Sequence, residues 1–498
     1  MRKHSNNIVY RISLGVSGVI VLYALLFGES FLQLSNNIFA FLTENFSWLY
    51  LLAMMLFVIF VVYVACSKWG NLKLGADDSK PEYSTLSWFA MLFCAGMGVG
   101  LVFWGISEPV THFINPNGVE GGTVEAVEFA FKSVFMHWGI HPWANYAIIG
   151  LALAYFQFRK NKPGLISSIL EPLVGEKATK GWVGKTVDCL ASFATVAGVV
   201  TSLGLGVLQI TSGLNFLFDV PNTLVVQILI ICAITAIFLW SALSGIGKGV
   251  KFLSNLNLIV VVALMIVVFA IGPKLEMIHN LLNGLGAYLS SIVQESLSIT
   301  AYGDNSWTMS WRVFYWAWWI AWAPFVGIFI ARISKGRTVR EFIVGVVLAP
   351  TLASVIWFAI FGTLGIDLGI KGVLSAVELQ QVAAVPESGL FMVLRQYPLG
   401  VILSIIALVL LCCFFITSAD SGTFVLAMLS SNGAMNPPNS RKVVWGIVQG
   451  SLAIGLLVVG GLKPLQTISI AAAFPFIFIM IAGCLSLIKA FRNDRPIK

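Results

Sequence analysis

The sequence predicts an all-α membrane protein with twelve transmembrane helices, and three observations carry that reading. The chain of 498 residues is 58% hydrophobic and only 10% charged, with a mean hydropathy of +0.90. A water-soluble protein of that length needs far more charge to cover its surface. Apolar stretches of roughly 20 residues, the span of a bilayer core, recur along its length. Lys and Arg alternate in density between successive loops: with the N-terminus inside, twenty-four of the 30 fall in inward segments and six in outward ones. Such a bias fixes an even number of spans with both termini cytoplasmic. The net charge of +8 therefore belongs to short loops and does not form a nucleic-acid-binding stripe.

Taken in order, the spans are expected at about 12–32, 47–66, 84–106, 131–158, 187–217, 223–244, 251–272, 308–332, 341–364, 398–430, 443–461 and 466–489. The basic N-terminus precedes an apolar run as in a signal peptide, but no small-residue cleavage site follows, so the run reads as a retained first helix. Residues 277–297 are amphipathic and too polar to span, and are assigned to an interfacial helix. One polytopic domain results: two extra N-terminal helices (12–66), a first five-helix block (84–272), the interfacial helix (277–297) and a second five-helix block (308–489). Blocks of five spans insert with opposite orientation, as inverted repeats do. The seven cysteines show neither metal-ligand spacing nor a disulfide framework. No Gly-x-Ser-x-Gly with a partner histidine, HExxH or Walker A sequence occurs, which argues against an intramembrane hydrolase or a primary pump.

Three segments carry chemistry. Residues Cys94–Gly100 (CAGMGVG) place three glycines in five positions at mid-span, weakening a helix by about 1 kcal/mol each relative to alanine. Close helix packing explains small residues too. An unwound stretch lining a cavity is the favoured reading, because freed backbone is tolerated there. Aromatic residues are dense in two inner stretches. Trp138, Trp143 and Tyr146 flank Pro142, which is expected to bend the helix, and Trp316, Trp318, Trp319 and Trp322 follow Tyr315. Trp322 shares a helix face with Trp318 and Trp319. An interfacial belt would place such rings at helix ends. A box for a quaternary ammonium suits inner positions better, since a methylated cation donates no hydrogen bonds and binds ring faces. Thr417 and Ser418, within FFITSADS, are adjacent hydroxyls deep in an apolar span. They serve equally as intrahelical bonds or as hard-oxygen cation ligands. Glu108, His137, His141 and Asp420 lie near predicted span ends, where solvation is expected, so no proton relay is assigned.

Phe314–Phe342 (FYWAWWIAWAPFVGIFIARISKGRTVREF), with GMGVG, HWGIHPWANY and FFITSADS, closely resembles the betaine/choline/carnitine transporter family, over about residues 10–490. The resemblance implies a LeuT-like fold: two extra helices, then two inverted five-helix repeats, in a homotrimer embedded in lipid. It implies that Trp138, Trp143, Tyr146 and Trp319 form the aromatic box and that Trp318 and Trp322 line it and the inward path. Gly96, Met97, Gly98, Val99 and Gly100 would be flexible backbone near the substrate carboxylate. One sodium site would use Thr417 and Ser418 with backbone oxygens of Ala95, Met97 and Phe414. In a second, Thr195 and Phe325 match the family pattern, but Val199 stands where a second hydroxyl is expected, which puts that site in doubt.

Choline carriers of the family tend to hold an aspartate at the position of Gly100. Glycine there fits a substrate with its own carboxylate, which a buried aspartate would repel. The expectation is a bacterial inner-membrane symporter, not an enzyme, importing glycine betaine with Na⁺ as coupling ion and no cofactor. The alternatives are a sodium-independent carnitine-type exchanger or a choline carrier. A betaine receptor is disfavoured, because no soluble signalling domain is legible. The residues after the last span are too few for the long charged helix of osmosensing members, so activation by that route is not expected.

Overall fold

Residues 8–96, 98–243, 247–434 and 436–494 are described by the structure, a computed structural model. Among the described residues every extended element is helical; one isolated bridge joins Lys73 to Thr338. Among the described residues nine helices are long and apolar enough to cross a membrane, or ten if the bent pair Asn255–Ile271 and Lys274–Ser296 counts as one crossing.

The chain opens with α1 (Ile8–Leu26) and α2 (Gly28–Cys66). The first span ends at Leu26, before the expected 32, and α2 runs unbroken through 33–46, where a polar loop was expected. Its polar residues bond back to their own helix: Thr43 Oγ1 and Asn45 Nδ2 each donate over 2.8 Å, to the carbonyls of Phe39 and Phe41. With 39 residues at 1.5 Å each, α2 is about 58 Å long, well beyond the hydrocarbon core.

The expected third and fourth spans are each broken in two: α3 (Thr85–Gly96) and α4 (Val99–Ile114), then α5 (Val124–Trp138) and α6 (Ile140–Ala154). The second break falls at Gly139 (φ −95°, ψ −126°). Pro142 has no N–H to return to the carbonyl four residues back, so the helix restarts with proline in its first turn. A π-turn (Tyr155–Arg159) ends this arm.

Short helices α7 (Glu171–Val174) and α8 (Glu176–Lys180) lead to α9 (Trp182–Phe218), followed by α10 (Leu224–Leu243) and α11 (Gly247–Ile271). The chain then turns by 114° into α12 (Lys274–Ser296), the amphipathic helix expected at 277–297. A π-turn (Thr308–Val313) leads into α13 (Phe314–Ile333), and α14 (Val339–Ile370) follows. Two helices not anticipated as elements come next, α15 (Ala376–Ala384) and α16 (Pro386–Leu394). Both are too short to register as spans. The Ser375–Glu378 capping box and Pro386 at a helix start were their legible signals. The chain closes with α17 (Gly400–Leu429), α18 (Asn439–Gly460) and α19 (Leu462–Arg492).

Burial sorts these helices. The apolar windows of α13 and α9 are 94% and 89% buried, while those of α1 and α10 are 22% and 17% buried. Thus α13 and α9 form the centre, with α6 and α19 packed on α13 and α17 on α9. The apolar faces of α1 and α10 turn outward. At one end the chain is clasped. Asp494 accepts from Arg159 Nη2 (2.7 Å), Lys160 Nζ (2.5 Å) and Tyr155 Oη (2.7 Å), and Arg159 also reaches Asp77 (2.7 Å).

Candidate functional site

Residues flanking the breaks in α3/α4 and α5/α6 meet α13: Gly100 lies against Trp318, and Trp138 stands beside Trp319. Gly98 leaves helical geometry (φ −142°, ψ −138°), and a Cβ placed on it would stand 3.4 Å from Ser418 Oγ on α17. The break therefore abuts Ser418. Met97 lies outside the described residues, and of Ala95 and Gly96 the structure gives the helical backbone alone. Val99 opens α4, buried beside Gly206 of α9. At Gly100 a Cβ would lie 2.9 Å from Cη2 of both Trp138 and Trp318, so two indole edges occupy the room that any side chain would need.

Around this point the aromatic rings meet at steep angles. Trp319 stands at 74° to Trp138 (centroids 4.9 Å) and at 84° to Tyr146 (6.2 Å); Trp143 meets Tyr146 at 82° (5.5 Å). Rings that meet so steeply form the walls of a corner, and a corner offers ring faces from more than one direction. Trp318 stacks on Trp319 (4.8 Å, 13°) and extends that wall. Trp322 sits apart from this corner, edge-on to Phe325 (5.3 Å) and against Gly198 of α9. Trp318 Nε1, Trp322 Nε1 and Tyr146 Oη are buried without a hydrogen-bond partner among the described residues.

The polar residues behind the corner were missed by sequence reasoning. Glu108 is fully buried, which corrects the solvated assignment of Glu108, His137 and His141. Helix α12 packs along α5 and reaches the start of α6. Tyr288 Oη accepts from the Ile140 amide (3.1 Å), and Ser296 Oγ bonds His141 Nε2 (2.7 Å). Lys132 and Arg312 pair with Glu295 (2.8 and 3.1 Å). Asp420, by contrast, is only partly buried.

Glu108 Oε2 accepts from Trp138 Nε1 (2.8 Å) and Tyr315 Oη (2.5 Å), and Oε1 accepts from His137 Nδ1 (2.6 Å). His112 Nε2 lies 3.4 Å from the same Oε1. The His137 carbonyl accepts from Trp319 Nε1 (2.9 Å), and the Trp319 carbonyl accepts from Asn145 Nδ2 (2.8 Å). Legible signals existed: Glu108 and His112 are four apart on one helix face, and ionisable groups within spans are functional candidates by default. One donor atom from each of Glu108, His112 and His137 lies within 4.8 Å of the others, close enough for a metal. Glu108 already accepts three hydrogen bonds, whereas both ring nitrogens of His112 and Nε2 of His137 are buried without a hydrogen-bond partner among the described residues.

The expected cation ligands divide. Thr417 Oγ1 bonds the carbonyls of Cys413 (3.0 Å) and Phe414 (3.2 Å) within its own helix. Ser418 faces Gly98. Thr195 Oγ1 donates to the Ala191 carbonyl (2.8 Å). Val199 packs its methyl groups against Gly422 of α17, an apolar contact where a second hydroxyl was expected.

Comparison with known proteins places these features in a family. The family profile described as BCCT, betaine/carnitine/choline family transporter, matches residues 8–496. The glycine betaine transporter OpuD of Bacillus subtilis (strain 168) is 46% identical over 499 residues, covering 99% of this chain and 96% of that protein. A probable glycine betaine transporter of Desulfitobacterium hafniense (strain Y51) is 46% identical over 497 residues, covering 99% of each. An ectoine/hydroxyectoine transporter of Virgibacillus pantothenticus is 41% identical over 478 residues, covering 96% of this chain and 94% of that protein.

Proposed function

This chain belongs to the betaine/carnitine/choline family of transporters, and we propose that it imports glycine betaine together with Na⁺ by alternating access. Members of the family are transporters, not enzymes, and the many apolar helices make this an integral membrane protein. The observation that carries the substrate reading is the corner of Trp138, Tyr146 and Trp319, all buried, with Trp319 steep to each of the other two and Trp143 beyond Tyr146. A trimethylammonium group presents a methylated, hydrogen-bond-free cation. Ring faces attract it by about 0.5–2 kcal/mol each once water is excluded. The substrate carboxylate would meet freed backbone of the Gly96–Gly100 break, and Trp318 and Trp322 would line the inward path. Gly100 adds no carboxylate at that position to repel it.

The sodium assignment rests on the same break. Ser418 beside Gly98, Thr417 one residue earlier, and backbone oxygens of Ala95, Met97 and Phe414 supply hard oxygen ligands of the kind Na⁺ takes at broken helices. Thr195 and Phe325 would belong to a second ion site, which the apolar Val199 contact disfavours. Counting α3/α4 and α5/α6 as one broken crossing each, and α11 as a crossing in its own right, gives twelve passes. That number suits a LeuT-like pair of five-helix repeats behind two extra helices. The Lys/Arg bias supports cytoplasmic termini in a bacterial inner membrane. Exposed Leu275, Ile278, Leu282 and Leu289 repeat along α12 at spacings of three, four and seven, an apolar stripe suited to contact between protomers of a trimer.

The deciding experiment is uptake of labelled glycine betaine into proteoliposomes, with and without an inward sodium gradient, with choline and carnitine as competitors. Symport of a neutral zwitterion with Na⁺ moves charge, so uptake should also rise with an inside-negative potential, by about 2.3 kcal/mol per charge per 100 mV. Uptake indifferent to sodium but driven by preloaded substrate would replace symport by exchange. Strong block by choline would replace the zwitterion reading.

A further inference from the structure

The rings of the corner are held from behind by a buried acid, and we infer that Glu108 is a positioning residue that sets the substrate-binding orientation of Trp138. This inference rests on the reading of Trp138 as a wall of the betaine site. A carboxylate buried at 0% exposure survives only when its lone pairs are satisfied, and apolar packing at the same place would cost less. Here its donors come from α5 and α13: Trp138 Nε1 at 2.8 Å and Tyr315 Oη at 2.5 Å on one oxygen, His137 Nδ1 at 2.6 Å on the other, with His112 Nε2 at 3.4 Å.

An ionised carboxylate only accepts, so His137 carries its proton on Nδ1. His137 thus serves both walls. Its ring is tied to Glu108, and its backbone carbonyl takes the Trp319 indole N–H at 2.9 Å. Each indole is gripped at its N–H edge, which fixes its rotamer, and Trp319, stacked on Trp318 on one side, has only its other face to offer a ligand. Trp138 and Trp319 keep their 74° angle because one acid and one peptide anchor them from the same side. Glutamine has about the same size as glutamate but a single acceptor oxygen, and its amide N–H₂ would point at donors.

The test is a double-mutant cycle on the full-length protein, reading glycine betaine affinity in sodium buffer by indole fluorescence. Glu108→Gln should weaken binding roughly 10–100-fold, the loss expected for a charged hydrogen bond. Trp138→Phe keeps a ring but has no N–H. In that background Glu108→Gln should cost less than about threefold more, because the contact it removes is already gone. Losses that multiply would overturn the inference, as would parental affinity in Glu108→Gln.

A second reading needs no substrate. With fluorotryptophan incorporated, the Trp138 signal, identified by its disappearance in Trp138→Phe, should shift or split in Glu108→Gln; an unmoved signal also overturns the proposal. If the parent binds no betaine, the functional reading fails, while this signal still decides whether Glu108 orients the ring. Should Glu108→Gln not fold, Tyr315→Phe removes another donor from the same oxygen and keeps the acid. It should move the Trp138 signal and weaken betaine binding several-fold, and no change in either refutes the network.

Discussion

Replacing Gly100 by alanine tests the corner by the smallest possible insertion. The new methyl would sit 2.9 Å from Cη2 of Trp138 and of Trp318, where ordinary contact begins near 3.4 Å, so each ring must retreat by about 0.5 Å. Neither yields easily: both are buried, Trp138 is bonded to Glu108, and Trp318 is stacked on Trp319. Overpacking of this kind costs about 1–3 kcal/mol. Alanine returns up to about 1 kcal/mol of helix propensity, less so here because Gly100 is the second residue of α4. The melting temperature of the ligand-free protein should therefore fall only slightly. Betaine affinity should fall roughly 10–100-fold, because the displaced atoms are those that shape the corner. Calorimetric titration with betaine in sodium buffer, beside a thermal melt, separates the two effects. Affinity within twofold of the parent would refute the reasoning, since it would mean that the two indoles move without consequence for the site. Gly100→Asp adds a charge to the same clash, and its loss of betaine binding should exceed that of alanine.

The other predictions concern a wall, an ion and the clasp. Trp319→Leu removes the ring that meets both Trp138 and Tyr146, and should weaken betaine binding at least tenfold in the same titration; unchanged affinity removes the box. Thr417→Ala with Ser418→Ala should raise the sodium concentration needed for half-maximal uptake several-fold, and a sodium response like the parent's leaves both hydroxyls as helix-internal bonds. Asp494→Asn should lower the melting temperature, with a loss of about 1–2 kcal/mol, by removing the acid that joins Arg159, Lys160 and Tyr155. Burial alone would raise the Asp494 carboxyl, but its bonds to Arg159, Lys160 and Tyr155 hold it below the ordinary 3.8. Its stabilisation is therefore complete above that value and is lost as pH falls through the lower, folded one. Melts from pH 6 downward should converge for parent and variant at the acid end, and a gap that widens on acidification would contradict this sign.

Hydropathy located the helices because the bilayer imposes a length on every crossing, and that length is a property of short windows of sequence. The same averaging hides what happens inside a window. By hydropathy alone spans 84–106 and 131–158 are continuous, yet each is two helices, because the deciding events are the dihedral angles of single residues, Gly98 and Gly139. Glycine spacing pointed to the first break. For the second, Pro142 was the right signal at a remove of three residues, since the bond it omits lies on its N-terminal side.

The corner shows a deeper reason for what stayed hidden. Trp138, Tyr146 and Trp319 were legible because aromatic residues at inner positions are unusual one by one. Glu108 was set aside because an acid near a span end usually finds water. The cover of Glu108 comes from far along the chain: Trp307 and Trp311, at the π-turn before α13, sit against His112, and α12 packs along α5. The acid's partner Tyr315 is 207 residues distant. Burial of a charge is decided by what covers it, and only the fold brings the cover into place. Once covered, the acid must find donors, and the nearest strong ones are the N–H and O–H edges of the aromatic residues beside it. The requirement that makes a buried carboxylate costly is therefore the same one that fixes the rings, and a sequence that names the rings without the acid leaves their angle unexplained.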